Sequence, residues 1–225
     1  MMKIGKKRMK KVILILTFFL LACFTLLAVD PVFPLEILEK QQEIKNFKVD
    51  VELVISTHAG QDSEFFFTYY YEEPDKIYLE TDDFVLLPKE ALKTMQPSFF
   101  QADKYSFNYL GKKEGLDILE LIPLDKGEKY RLYLAIDSGN SIIRSGELFF
   151  QMANYREEFN AIIYFADIDG YALPVYIEGE LAVPTKFAIG GEIKEYREGS
   201  FHLKLKDYAI NIEFPEKIKK SLSSN

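Results

Sequence analysis

From Phe47 onward the apolar residues of this chain recur with a period of two, and that limits what it can fold into. Phe47, Val49, Val51, Leu53 and Ile55 alternate with Lys48, Asp50, Glu52, Val54 and Ser56. Five matches in a row describe a strand with one face turned to a core. A turn at residues 58–62 leads into a second strand over 64–71, with Phe65, Phe67, Tyr69 and Tyr71 on one face and Phe66 and Tyr70 on the other. A sheet with one solvated face does not need Phe66 and Tyr70, so either a helix covers them or a partner meets them. Glu73-Pro74-Asp75 turns the chain into a short strand, Lys76 to Thr81. Short connections of this kind pair neighbours antiparallel.

The rest follows the same rule with one interruption. Strands are predicted at 105–110, 116–123, 130–137, 142–150, 159–167, 175–182 and 201–214. The turns between them fall at Gly111–Gly115, Asp125–Gly127, Ser138–Asn140, Asp169-Gly170 and Gly190-Gly191. The interruption is residues 83–103, an apolar insert bounded by Pro88 and Pro97, with a helical stretch over Lys89–Met95. Residues 31–46 read as a short amphipathic helix with Leu35, Leu38 and Gln42 on one stripe. The fold class expected is mainly β, with α and β elements segregated: one large curved antiparallel sheet or half-open barrel covered by short helices.

The N-terminus is of a different kind. Residues 1–11 are basic and Val12 to Val29 are apolar apart from Thr17 and Thr25. This is a signal peptide or membrane anchor over residues 1–29, followed by a single domain over 30–225. Three fates are open. Leu20-Leu21-Ala22-Cys23 resembles a lipobox with Cys23 as the lipidated residue; a peptidase could cut after Ala28; or the 18 apolar residues stay as an anchor. Each places the domain outside the cytoplasm, in the periplasm or an equivalent space, free or held through residues 12–29 or Cys23.

Charge and cysteine exclude several functions. The formal net charge is −7, and the first 29 residues hold six basic groups and no acid, so the remainder stands near −13. A domain this acidic does not track a phosphate backbone, and nucleic acid is not an expected partner. Cys23 is the only cysteine, which leaves the domain without a disulfide, a thiolate nucleophile or a cysteine metal site. The two histidines, His58 and His202, have no nucleophile motif nearby. Asp167-Ile168-Asp169-Gly170 lacks the further ligands of a calcium loop. No glycine-rich phosphate loop and no Ser-His-Asp pattern occurs. The expectation is a binding protein rather than an enzyme, with no cofactor and no metal.

Four segments then carry a resemblance by their order: Tyr71 to Thr81; Tyr109-Leu110-Gly111 with Gly115 opening Leu116 to Pro123; Tyr130 to Asp137; and Phe165 to Pro174. Over residues 47–180 the sequence resembles the outer-membrane lipoprotein-sorting and carrier proteins, the LolA-like family. The resemblance implies a half-open barrel draped over a helical lid, with an apolar cavity that holds acyl chains of lipoproteins or other lipids in the periplasm. Val49, Val51, Leu53, Ile55, Phe65, Phe67 and Tyr69 are the expected cavity wall, and Leu92, Met95, Phe99 and Phe100 the expected lid. In the carrier proper an arginine just before the proline of the second turn helps latch the lid. Here Glu72 and Glu73 precede Pro74, a departure that bears on lipoprotein handoff and not on the cavity. The expected partners are lipid or lipoprotein acyl chains, with an inner-membrane protein complex left open, and the chain is expected to be a monomer. The alternative on the same fold is a tethered envelope sensor or acceptor that binds a lipidated ligand and a protein. For each apolar wall residue taken singly, ordinary core packing explains the pattern as well.

Overall fold

Ten strands carry the described part of the chain: β1 (Asn46–Thr57), β2 (Asp62–Glu72), β3 (Lys76–Glu80), β4 (Tyr105–Lys113), β5 (Leu116–Pro123), β6 (Tyr130–Asp137), β7 (Ile142–Gln151), β8 (Glu158–Ile168), β9 (Tyr171–Phe187) and β10 (Ile193–Ile210). They form one antiparallel sheet in the order β3-β2-β1-β10-β9-β8-β7-β6-β5-β4. The sheet curves without closing, so β3 and β4 are its edges. The computed structural model describes residues 32–57, 62–82, 89–127, 130–151, 158–187 and 193–223. The N-terminal segment with Cys23, the turn at His58, Pro88 and the Gly190-Gly191 turn lie outside the described residues.

The alternation read in the sequence becomes the two faces of the sheet. Phe47, Val49, Val51 and Leu53 of β1 are buried and meet Phe67, Tyr69 and Tyr71 of β2 across the strand pair. The same inner face continues through Leu205, Leu203 and Phe201 of β10, Ile177 of β9, Ile163 of β8, Leu148 of β7, Leu132 and Leu134 of β6, and Leu119 and Leu121 of β5, all in one cluster. Burying a side chain of this size stabilises the fold by about 1.5–3 kcal/mol. The β8–β9 hairpin turns on Asp169 and Gly170, both with positive φ (54° and 84°), the pairing a two-residue type I′ turn requires. The carboxylate of Asp167 accepts the Gly170 amide at 2.8 Å, so the acidic turn closes a hairpin.

Helices cover what the sheet leaves open. α1 (Val32–Lys40) continues as a 3-10 turn over Gln41–Glu43 and buries Ile37, Leu38 and Gln41. This corrects the expected stripe, because Gln42 is exposed and the helix ends before residue 46. The end of the chain was read as strand up to Phe214, yet β10 stops at Ile210. Asn211 then takes a positive φ of 51°, and α2 (Lys89–Thr94) is matched by a further helix, α3 (Glu216–Ser223), that the sequence reading did not anticipate. Phe214, Ile218 and Leu222 pack on Tyr70 and form a second, smaller core on the outer face of β2. β9 and β10 are both longer than predicted. β9 accommodates two prolines: Pro174 sits at the register shift between β8 and β9, and Pro184 lies beyond the residues that pair with β8. Those are positions a sheet grants to proline.

Two outcomes follow. A Cβ at Gly179 would lie 2.6 Å from the Asn160 carbonyl oxygen and 2.8 Å from the Phe201 ring, so Gly179→Ala has to push strands apart. The expected loss is about 1–3 kcal/mol, read as a lower thermal midpoint. On the outer face Lys204 and Lys206 donate to the Glu52 carboxylate at 2.7 and 3.0 Å. They hold its pKa down from 4.5 to about 2. A depressed carboxylate contributes stability above its unfolded pKa and loses it as pH falls. Between pH 4.5 and 2 the wild type should therefore lose stability more steeply than Glu52→Gln, in urea titrations at stepped pH.

Candidate ligand chamber and its lid

The concave face of the sheet is where the predicted wall and the predicted lid meet. Val49, Val51, Leu53, Phe67 and Tyr69 are buried, and Ile55 and Phe65 are partly buried against the same cluster. From the insert, Met95, Phe99 and Phe100 are buried in that cluster and Leu92 packs at its margin. Residues 95–100 thus occupy the interior that the sheet encloses. The T-shaped contact of Phe100 with Phe165 of β8 spans 5.3 Å, and Phe99 stacks on Tyr130 of β6 at 5.3 Å. The concave face is filled by the chain's own side chains, so a ligand there has to displace the lid.

Side-chain hydrogen bonds tie that lid to the sheet. Pro97–Phe100 forms a 3-10 turn with proline at its start. Ser98 donates to the Asp75 carboxylate at 3.0 Å, tying the turn to the β2–β3 hairpin. Tyr105 donates to the main-chain carbonyl of Phe99 at 2.5 Å, and its hydroxyl lies 2.8 Å from that of Tyr130. The acids before Pro74 point elsewhere: Glu72 pairs with Lys76 and Glu73 with Lys45, each at 2.8 Å. The lid is therefore fastened one residue after the proline, by Asp75, rather than by the residue before it. Sequence reasoning missed Asp75 and Ser98, since a Ser–Asp pair 23 residues apart leaves no local signal.

Near this fastening lies an aromatic corner. Phe47 stacks between Tyr69 (5.8 Å) and Tyr71 (5.4 Å). Tyr71 donates to the Pro74 carbonyl at 3.0 Å, and burial pushes its hydroxyl pKa up to about 12. Burial raises Tyr69 further still. Neither phenol ionises at neutral pH, so each keeps its O–H as a donor.

No family model and no curated protein matches the chain. Solved structures do. A Vibrio parahaemolyticus domain described as that of an outer membrane lipoprotein-sorting protein superposes with a TM-score of 0.51 at 16% identity, over 84% of this chain and 97% of that one. The fold is LolA-like. A DUF1329 family protein from Desulfovibrio piger gives 0.53 at 11% identity, over 81% of this chain and 94% of its own. A LolA superfamily protein from Nitrosomonas europaea gives 0.49 at 18% identity, over 83% and 97%.

Other titratable groups lie apart from this interior. His202 of β10 is half-buried on the outer face, its ring stacked 6.1 Å from Tyr176. The buried carboxylates Asp117 and Glu120 are engaged by Tyr109 and Ser138, and by Asn108 and Tyr133, respectively. Among the described residues no three His, Cys, Asp or Glu side chains come together as a metal site.

Ser98→Ala removes one of the lid's side-chain ties. The expected cost is about 1 kcal/mol, and amide hydrogen exchange at residues 95–100 should quicken while β5–β8 keep their protection.

Proposed function

We propose that this chain is a non-catalytic, extracytoplasmic carrier that shields acyl chains of a lipid or lipoprotein on the concave face of its sheet. The observation that carries the reading is the lid. An apolar strap, residues 95–100, fills the concave face and is fastened there by a handful of hydrogen bonds. An acyl chain offers the same chemistry as Met95, Phe99 and Phe100, and each methylene buried is worth about 0.8 kcal/mol. Loading in this reading exchanges one apolar filling for another. Val49, Val51, Leu53, Ile55, Phe65, Phe67 and Tyr69 are the wall in this reading. The basic and apolar N-terminal segment supports export, and periplasmic residence follows from it.

One observation favours a second role on the same fold, a tethered sensor or acceptor with a protein partner. Phe66 is 61% exposed on the outer face and lines a cleft of about 460 Å³ among Asp50, Glu52, Glu80, Asp82 and Asp207. α3 covers Tyr70 of the same strand face and leaves Phe66 bare.

Native mass spectrometry of the full chain, extracted gently from a bacterial envelope, separates these. The carrier reading predicts a bound mass matching phospholipid or lipopeptide. A protein that arrives empty and ignores both added phospholipid and an apolar fluorophore overturns it, and leaves the concave face as core alone.

A further inference from the structure

We infer that the Tyr69 hydroxyl is the recognition point for a neutral carbonyl oxygen, the ester or amide that joins an acyl chain to its head group. The inference rests on the carrier reading and deepens it.

Three inner-face tyrosines donate to main-chain carbonyls. Tyr71 donates to the carbonyl of Pro74, Tyr105 to that of Phe99, and Tyr208 to that of Pro174. Tyr69 is fully buried, and among the described residues its O–H finds no acceptor; the polar group beside it is the Gln96 side chain, whose amide is placed to donate toward the phenol oxygen and leaves the hydroxyl proton unused. A buried donor without an acceptor is unfavourable, and a phenylalanine would fill the same space without it. The group is well placed for a ligand. It lies next to the Gln96 side chain, at the root of the lid, and close to Tyr71 and Asp75. Along β2 and β1 the wall then turns apolar, through Phe67, Val51, Phe65 and Leu53. Lifting residues 95–100 therefore bares one donor at the polar end of an apolar strip. A molecule that is apolar along its length, with a single acceptor at one end, matches that arrangement.

Charge narrows the class. Asp75 stands by this corner and works against a second anion. A free fatty acid would bring its carboxylate beside it, whereas an ester or amide brings a neutral acceptor.

The test uses the purified full chain and three probes, methyl palmitate, palmitate and heptadecane, each competing for a bound apolar fluorophore, with wild type and Tyr69→Phe. The wild type should prefer methyl palmitate to both others. Tyr69→Phe should bind methyl palmitate on the order of tenfold more weakly, the worth of one neutral hydrogen bond, with heptadecane unchanged and a thermal midpoint equal to or above wild type. Equal methyl palmitate affinity in the two proteins overturns the inference and leaves the carrier reading standing. A lower thermal midpoint in Tyr69→Phe also overturns it, because the hydroxyl then has a partner in the unloaded protein. Failure of the wild type to take any of the three probes, or added phospholipid, overturns the carrier reading itself.

Discussion

A ten-stranded sheet that curls without closing has a concave apolar face and nothing of its own to put there. Every other feature answers that constraint. Ile37 and Leu38 of α1 enter from one side, and Met95, Phe99 and Phe100 enter from the insert between the two edge strands. A conventional sandwich solves the same problem with a second sheet, whose strands are fixed by ladders of main-chain hydrogen bonds. Here the covering pieces are a short helix and a 3-10 turn, and the hydrogen bonds that hold the turn to the sheet come from side chains. The sheet is thus held by main-chain ladders and its filling by side-chain contacts.

Polar chemistry is arranged around that division. On the outer face, opposite charges sit in register across strands, as Glu52 of β1 does with Lys204 of β10. Such exposed pairs add little to stability, but they set which face is wet. On the inner face the polar atoms gather at the β2–β3 hairpin, where Tyr69, Tyr71, Asp75, Gln96 and Ser98 meet. The interior therefore has a polar end and an apolar end, and a guest with the same asymmetry would be held in one direction.

Much of this was legible in the sequence, for physical reasons. The period of two in β1 and β2 comes directly from the pleat, and it placed the inner face correctly at Phe47, Val49, Leu53, Phe67 and Tyr69. The insert was visible because two prolines bound an apolar stretch where a strand was due. The second face of β2, with Phe66 and Tyr70, announced an outside partner, and α3 supplies it for Tyr70 alone. The misreadings have equally definite causes. β9 runs past both predicted ends, because the sheet takes Pro174 at a register shift and Pro184 beyond the β8 pairing. α3 is eight residues long, and its apolar positions Ile218 and Leu222 give only one helical repeat. The contact of Ser98 with Asp75 and the lone hydroxyl of Tyr69 depend on which atoms the fold brings close, and no local pattern encodes that.

The strand order has a mechanical consequence. β3 and β4 are consecutive in sequence yet stand at opposite edges of the sheet, and the segment joining them, residues 81–104, contains the lid. The lid is thus no flap hinged at one end but a belt buckled to both rims of the opening. Spreading the rims draws the belt taut and tends to pull Met95, Phe99 and Phe100 out of the interior; bringing them together gives it slack to sink back. In the carrier reading, a fixed length of chain would couple the width of the opening to what fills it.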